Sequence, residues 1–591
     1  MKKIVFVKSL AESHVGEKYI DLSSDFISEN SDNDRESVDL STLYSQFGKK
    51  WVEDFSELLS KLNQNNASLL WWAYTSTAKN LLSSPLGERY IQIQAICELI
   101  TRKDIDTLNV IGATTGQMES IISNLSDSNI KFGGNALKFR LLKKIAANST
   151  ALIRQAIHCG RLFFGFFGCK APIFDKHIDL CLFTYLDGGF HKKFDNYFGE
   201  LPQLLQENNY ISSFLYLAYV YTPYRQRIKN IRSPSAYVAL FSLLSLSDYY
   251  WAFSKTFLNW WKNAFQECSY KFGSTKKYSS LFNEIFLHDI AVGSYLHNLL
   301  IYKSICKFIK VCEPKTFIYP YENKSLEKMI LIGINDAEYK PVVMGFQHSS
   351  ITPRHITLLF RPEEATYTPL PDKIITVGKI TREYLEQFGN YPPEIFITGC
   401  ALRQKRVAPM TRPNYGDNKI RVLLALSSSE QELLKSVMLF QKVMRLMPEL
   451  ELGIRCHINF PLTLLPKDIA VWAKENTLDF SGTKLNDNLS WSNVTAYVSS
   501  TVAIETLMQG KPVVNISIGD MVSSDPVIGG TSFHWHAGDE IEMVETLSLI
   551  NNISDADYGQ YSSSAVSYAE DYLRPINNVC LEKYTGDSKN T

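Results

Sequence analysis

Residues 497–516 read Tyr-Val-Ser-Ser-Thr-Val-Ala-Ile-Glu-Thr-Leu-Met-Gln-Gly-Lys-Pro-Val-Val-Asn-Ile. The pattern predicts a buried strand, a hydroxyl-rich turn, a helix that stops at Gly510 and a second strand. Strands that alternate with helices are typical of a parallel sheet. The stretch therefore indicates a doubly wound α/β domain, and the turn lies at the sheet edge where such domains bind ligands.

The same alternation continues on the amino-terminal side of this stretch. It predicts strands at 420–425, 451–456 and 494–498 and helices at 430–446 and 466–475. We therefore predict a C-terminal Rossmann-like domain over 420–555. A linker with Pro409, Pro413 and Gly416 precedes it at 403–419, and a C-terminal helix and tail follow at 556–591.

The first 402 residues also combine strand-like and helix-like segments. Strands are predicted at 4–7, 68–74 and 107–111, a helix at 88–102, and further strands at 316–320, 341–346, 373–377 and 394–398. Long aromatic-rich segments, including 214–228 and 237–265, predict helices between them. We expect an N-terminal Rossmann-like domain over 1–402 that contains a large helical insertion at about 136–312.

Composition limits the classes of function. The chain has 591 residues, 61 Lys and Arg against 61 Asp and Glu, and 45% hydrophobic residues, which excludes a disordered or fibrous protein. The balanced charge favours no nucleic-acid partner. Ten scattered cysteines indicate reduced thiols and a cytoplasmic protein. No uncharged apolar run reaches the ~20 residues of a membrane span.

Basic residues lie among apolar ones over 136–167, and that segment ends in an aromatic cluster. A basic amphipathic helix of this kind suits an anionic membrane surface such as the cytoplasmic face of the inner membrane. A core helix with a solvated basic face explains the same pattern.

The hydroxyl-rich turn carries the first candidate binding residues. Ser499, Ser500 and Thr501 place hydroxyls and backbone N–H groups where a helix begins, which favours an anion. Glu505, one turn further, is placed to accept hydrogen bonds from ribose hydroxyls. A simple N-terminal cap is the alternative interpretation.

Two neighbouring strand ends supply further candidates. Ser427 and Ser428 follow the strand at 420–425, where they either face a ligand bound at this edge or cap the next helix. His457 follows the strand at 451–456, where an imidazole can stabilise charge on a phosphate leaving group.

Two predicted strand ends of the first domain carry polar residues, and a further candidate lies upstream of them. Glu322 follows the strand at 316–320, and Gln347 and His348 end the strand at 341–346. Glu322 is the candidate catalytic carboxylate, acting as a base or as a nucleophile; alternatively it caps the next helix and balances Lys324. Asp187 either contacts a bound substrate or forms an Asp-Gly-Gly turn.

Metal and cofactor signals are poor. Asp104-Ile-Asp106 precedes a strand, whereas a metal-binding pair would follow one. His534 and His536 have no identifiable partners, so the interpretation is a packed pair. No GxGxxG or Walker A motif is present. We predict neither a metal nor a cofactor.

The paired serines 499 and 500 and the strand-end His457 with Pro461 four residues later resemble motifs of GT-B glycosyltransferases. The Glu322-Asn-Lys and Gln347-His turns resemble a pattern in surface-polysaccharide biosynthesis proteins. The narrower similarity is to capsule-type and lipopolysaccharide-type transferases and bacterial sialyltransferases. This resemblance implies an α/β GT-B fold, in which two Rossmann-like domains face a cleft. It also implies that His457 and Ser499–Thr501 hold the donor phosphate and that Glu505 holds the ribose.

The expected function is transfer of a nonulosonic or Kdo-like sugar acid from a CMP-activated donor to a bacterial surface glycan, such as an O-antigen or a capsule. The partners would be this donor and a glycan or lipid-linked glycan acceptor. A UDP-sugar transferase, a polyol-phosphate transferase and a non-catalytic glycan-assembly scaffold stay open as alternatives.

Overall fold

The structure of the protein is a computed structural model. It describes residues 2–7, 18–21, 41–81, 84–101, 107–126, 130–133, 153–163, 176–186, 195–220, 237–265, 270–404, 412, 419–427, 429–457, 459–519 and 521–586. Within these residues the strands form three sheets, and every strand pairing between them is parallel.

The strands are β1 (Lys2–Val7), β2 (Lys18–Asp21), β3 (Thr107–Ile111), β4 (Ile130–Gly133), β5 (Leu180–Leu186), β6 (Phe214–Val220), β7 (Tyr237–Ala239), β8 (Thr316–Pro320), β9 (Val342–Gln347), β10 (Lys373–Thr376), β11 (Phe396–Thr398), β12 (Ile420–Ala425), β13 (Leu450–Arg455), β14 (Leu478–Asp479), β15 (Val494–Tyr497), β16 (Val513–Ile516) and β17 (His534–Ala537).

The α-helices are Ser41–Asn66, Leu69–Trp72, Pro85–Thr101, Thr115–Asn124, 153–163, Leu201–Glu207, Leu246–Phe265, Ser279–Val292, Ser294–Cys312, Ser325–Asp336, Glu364–Tyr367, Lys379–Phe388, Glu430–Leu446, Lys467–Asn476, Leu485–Trp491, Val502–Met508, Glu540–Asn551, Asp555–Tyr572 and Asn578–Glu582. In the described part of the chain, no helix is both long and apolar enough to cross a membrane.

The first sheet has the order β2-β3-β1-β4 and contains the strands predicted at 4–7 and 107–111. The strand predicted at 68–74 is wrong, because these residues form the helix Leu69–Trp72. Ser68 caps that helix by accepting a hydrogen bond from the Trp71 N–H at 3.3 Å. Trp71 and Trp72 are both buried. Because a short continuous apolar run fits a buried strand as well as a buried helix, the sequence pattern does not distinguish the two here.

The second sheet has the order β11-β10-β9-β8-β5-β6-β7. Numbered along the chain from β5, this order is the Rossmann pattern 3-2-1-4-5-6 with one added strand, and it reverses direction between β5 and β8. Helices of the predicted insertion are present, but β5, β6 and β7 interrupt it and belong to the sheet. The second sheet is therefore separate from the first, which it was expected to continue.

The helix predicted at 214–228 is wrong, because its first seven residues form β6. The segment predicted as a helix at 237–265 likewise begins with β7 before the helix Leu246–Phe265. Leu217 and Ala218, adjacent in β6, are both fully buried. A strand covered on both faces shows no alternation, so its apolar run cannot be told from a buried helix by periodicity.

The third sheet has the order β14-β13-β12-β15-β16-β17, which is the Rossmann order 3-2-1-4-5-6. The predicted strands and helices of this unit match observed ones within one or two residues, and the helix Glu430–Leu446 matches completely, but β14 and β17 were not predicted. The switch point of this sheet lies between β12 and β15. The loops after these two strands carry Ser427 and Ser499.

The C-terminal helices join the second and third sheets. Helix Asp555–Tyr572 packs against both Val502–Met508 and Lys379–Phe388. Arg574 then bonds to the second sheet through both backbone groups: its N–H donates to Val377 O at 2.9 Å, and its carbonyl accepts from the Ala401 N–H at 2.8 Å. The two Rossmann-like units thus face each other, which confirms the predicted α/β GT-B fold.

Candidate functional site

The ends of β8 and β9 bring Glu322 and His348 together, because these strands are neighbours in the second sheet. Glu322 Oε1 lies 3.7 Å from His348 Nε2. Its other carboxylate oxygen pairs with the Lys324 ammonium group. Glu322 is 34% exposed and His348 is 8% exposed, so the carboxylate remains accessible beside a buried ring.

His348 is a neutral imidazole at neutral pH. Burial lowers its pKa to about 3, and the charges of Arg403 and Lys324 act in the same direction. Tyr197 meets the ring edge-on at 4.9 Å. Tyr197 is itself held by Asp195, whose Oδ1 accepts its backbone N–H at 2.7 Å. Asp195 is therefore a buried residue that holds a turn.

Glu327 holds the loop that carries Glu322. Its Oε2 accepts the backbone N–H groups of Glu322 at 2.9 Å and Asn323 at 2.7 Å. Asn323 adopts a left-handed conformation, φ +56°, and its side chain donates to Thr357 O at 2.6 Å. The alternative that Glu322 caps the following helix is wrong, since Lys324 occupies the N-cap position of helix Ser325–Asp336 and no side chain makes a capping hydrogen bond there. The pairing of Glu322 with Lys324 is confirmed.

Glu327 is expected to make stability depend on pH. Its burial raises its pKa from 4.5 to about 8, so the folded protein binds this proton more tightly than the unfolded chain. Its stabilising contribution is then complete below about pH 4.5 and is lost as the pH rises through about 8. Glu327→Gln keeps an acceptor oxygen but cannot titrate.

Urea unfolding at about pH 5 and about pH 9 tests this expectation. We expect the free energy of unfolding to fall less between these pH values in Glu327→Gln than in the wild type. Glu338→Gln, at an exposed glutamate, is the control and should behave as the wild type. Equal losses in all three proteins would contradict the assignment.

Gln347 is buried and its amide is engaged within the second sheet. Its Oε1 accepts the Val377 N–H at 3.4 Å, and its Nε2 donates to Ser349 O. These bonds account for a glutamine at this position without a sugar ligand.

Ser427 and Ser499 meet at the switch point of the third sheet, with 2.5 Å between their hydroxyl oxygens. Both hydroxyls also bond to Glu432, Ser499 at 2.7 Å from Oε1 and Ser427 at Oε2. Glu432 is buried. The two serines therefore join the loops after β12 and β15. The resemblance implies that Ser499 holds the donor phosphate, but here the Ser499 hydroxyl is bonded to the Glu432 carboxylate.

Ser500 and Thr501 differ in their partners. The Ser500 hydroxyl accepts the Val502 N–H at 3.4 Å, as a local cap does. The Thr501 hydroxyl lies 2.9 Å from the Ser350 hydroxyl, just beyond β9. A direct contact thus links the carboxyl edges of the second and third sheets.

Glu505 and His457 lie at the same edge of the third sheet. Burial raises the pKa of Glu505, while the charges of Arg403 and Arg455 oppose this shift. Arg455 is anchored by Thr483 O and Asn488 Oδ1, each at 2.8 Å. His457 is half-buried, and its Nδ1 accepts the Asn459 N–H at 3.3 Å.

Arg403 is the site residue that the sequence analysis missed, because it was assigned to the linker. It follows the last strand of the second sheet and donates to Asn196 O at 3.1 Å. Its charge acts on the pKa of His348 on one side and of Glu505 on the other. An arginine at the junction of two Rossmann-like units is the signal that could have identified it.

Several predicted residues lie outside the described residues. They are Asp187, Ser428, most of the linker and the basic residues Lys138, Arg140, Lys143 and Lys144.

No protein-family model and no curated protein matches this chain. Among solved structures it is similar to the lipopolysaccharide outer core galactosyltransferase WaaB, at 10% identity over 68% of this chain and 97% of that chain, with a TM-score of 0.40. It is also similar to the wall teichoic acid polymerase TagF with CDPG, at 10% identity over 76% of this chain and 96% of that chain, with a TM-score of 0.35. A third similar structure is the UDP-GlcNAc 2-epimerase from Neisseria meningitidis, at 10% identity over 69% of this chain and 97% of that chain, with a TM-score of 0.37. These TM-scores lie below 0.5, so the function is argued from the site alone.

Proposed function

We propose that the protein is a glycosyltransferase that binds a nucleotide-activated sugar between its second and third sheets. One observation carries this proposal: the switch-point edges of two Rossmann-order sheets meet, with the Glu322–His348 pair on one side, Glu505 on the other and Arg403 between them. Ligands of open α/β sheets bind at such edges.

The side chains suit the charges of glycosyl transfer. Arg403 would neutralise the phosphate that leaves with the nucleotide, His457 would donate a hydrogen bond to it, and Glu505 would accept hydrogen bonds from the ribose. Glu322 would either take the proton of the acceptor hydroxyl as its oxygen attacks the anomeric carbon, or attack that carbon itself. Protein cations neutralise the donor here, so no metal is assigned to it.

For the donor we propose a CMP-activated nonulosonic or Kdo-like sugar acid, and for the acceptor a bacterial surface glycan. Such a donor carries a phosphate and a carboxylate, and two cations, Arg403 and Lys324, lie at the site. A UDP-sugar also carries two negative charges, so the base must be identified by titration.

Calorimetric titration of the full chain with CMP, CDP, UDP and GDP tests the proposal. We expect CMP to bind best, and Arg403→Gln to weaken its binding by about 10- to 100-fold through loss of a charged hydrogen-bonding group. Arg382→Gln is the matched control, since Arg382 lies on a surface helix and pairs with Glu386.

The outcomes separate the alternatives. A preference for UDP would contradict the CMP donor and retain the glycosyltransferase. If no nucleotide binds, the enzyme is contradicted and the scaffold is favoured. Equal losses in Arg403→Gln and Arg382→Gln would show that Arg403 does not hold the donor.

A further inference from the structure

Two histidines and a buried aspartate converge beside β17. His534 and His536 are two residues apart on this strand, so their side chains leave the same face of the sheet. Asp525 belongs to the loop between β16 and β17. One potential ligand atom from each of the three residues lies within 4.8 Å of the other two.

The aspartate is held in place by groups other than the histidines. Asp525 Oδ1 accepts the Tyr497 hydroxyl at 2.6 Å and the Val527 N–H at 2.8 Å. Its Oδ2 lies 2.8 Å from His534 Nε2. Such outer hydrogen bonds are those that orient a metal-binding carboxylate.

Burial differs among the three groups. The side chains of Asp525 and His534 are each 6% exposed, whereas His536 faces solvent. An ion held by these residues would have one side covered by protein and one side open to water through His536.

We propose that Asp525, His534 and His536 form a binding site for a divalent transition-metal ion. Two imidazole nitrogens and one carboxylate oxygen are a ligand set that Zn²⁺ accepts, with a fourth tetrahedral position left for water. Binding would replace the hydrogen bond between Asp525 and His534 with bonds from each residue to the metal. The site is independent of the proposed donor site.

The position of the cluster gives the ion a structural role. Ser524, next to Asp525, accepts a hydrogen bond at 3.4 Å from Arg354, which follows β9 of the second sheet. A metal that links Asp525 to the histidines of β17 would also hold this loop in place where the second and third sheets meet. Metal binding to the folded chain then adds to its stability.

Zinc calorimetry on the full chain, after removal of metal with EDTA, tests the site. We expect one equivalent of Zn²⁺ to bind and to raise the melting temperature, and Mg²⁺ to bind far more weakly because it prefers oxygen ligands. His536→Ala, at an exposed position, should abolish this binding. Tyr497→Phe removes the hydroxyl that donates to Asp525 Oδ1 and lies 3.1 Å from His534 Nε2, and it should weaken Zn²⁺ binding by about 10-fold.

His177→Asn is the control variant. His177 is an exposed histidine that pairs with Glu313, and its positive φ of 66° is one that asparagine accepts. This variant should bind Zn²⁺ as the wild type does. If the wild type binds no more Zn²⁺ than His536→Ala, or if both histidine variants lose binding equally, the metal site is wrong and the cluster is a hydrogen-bonded Tyr497–Asp525–His534 group.

Discussion

Replacing Glu322 by Gln is expected to lower the transfer rate by about 10²- to 10⁴-fold and to change nucleotide affinity little. Glutamine keeps the shape of the side chain but can neither accept a proton nor attack the anomeric carbon. Folding should be preserved, because Glu322 is one-third exposed and its backbone N–H still donates to Glu327. The measurements are nucleotide release from the donor in a single turnover and calorimetric affinity for the nucleotide.

Glu338→Gln, at an exposed glutamate in the same unit, should keep the wild-type rate. If Glu322→Gln also keeps that rate, Glu322 serves only to balance Lys324. If Glu322→Gln does lower the rate, mass spectrometry of the wild type during turnover distinguishes a nucleophilic Glu322 from one that acts as a base. A sugar adduct on Glu322 indicates a nucleophile, whereas turnover without an adduct indicates a base.

Replacing Lys79 by Met is expected to lower the free energy of unfolding by about 3–5 kcal/mol, because it leaves a buried carboxylate without its cation. Lys79 Nζ lies 2.5 Å from Glu364 Oε2, and both side chains are 2% exposed. Lys79 also donates to Leu359 O at 2.7 Å. Lys328, a second buried cation that acts on Glu364, should bring the loss toward the lower end of that range.

Lys61→Met supplies the matched control in a urea-unfolding experiment. Lys61 pairs with Glu57 at 2.6 Å, but the two side chains are 57% and 56% exposed. Such a pair contributes about 0.5 kcal/mol or less. Equal losses in Lys61→Met and Lys79→Met would contradict the role of burial.

Four of the six strands of the third sheet were predictable because their signals are local, whereas β14 and β17 were not predicted. Ser429 caps the helix Glu430–Leu446 by accepting the Glu432 N–H at 3.3 Å, and Gly510 ends another helix with φ +72°. Both residues act on neighbours only a few positions away. β6 carried no such signal, because its burial on both faces comes from elements distant in the chain.

The site was predictable in part for the same reason. Placing Glu322 and His348 at strand ends required only the recognition of two strands, which proved to be adjacent. The bond of Glu432 to Ser499, 67 residues away, depends on the completed sheet. The approach of Arg403 to Glu505 depends on the packing of two units. Asp525 reaches His534 through a loop whose path no periodicity fixes.

The return of the C-terminal helices to the second sheet has a consequence for synthesis on the ribosome. The Cys400 N–H donates to the hydroxyl of Tyr584, 184 residues later. At roughly 5–20 residues per second, the second sheet emerges roughly 10–40 s before that partner exists. During this interval water must satisfy the backbone groups of Cys400, so the segment that follows β11 lacks its native partner until residue 584 has been made.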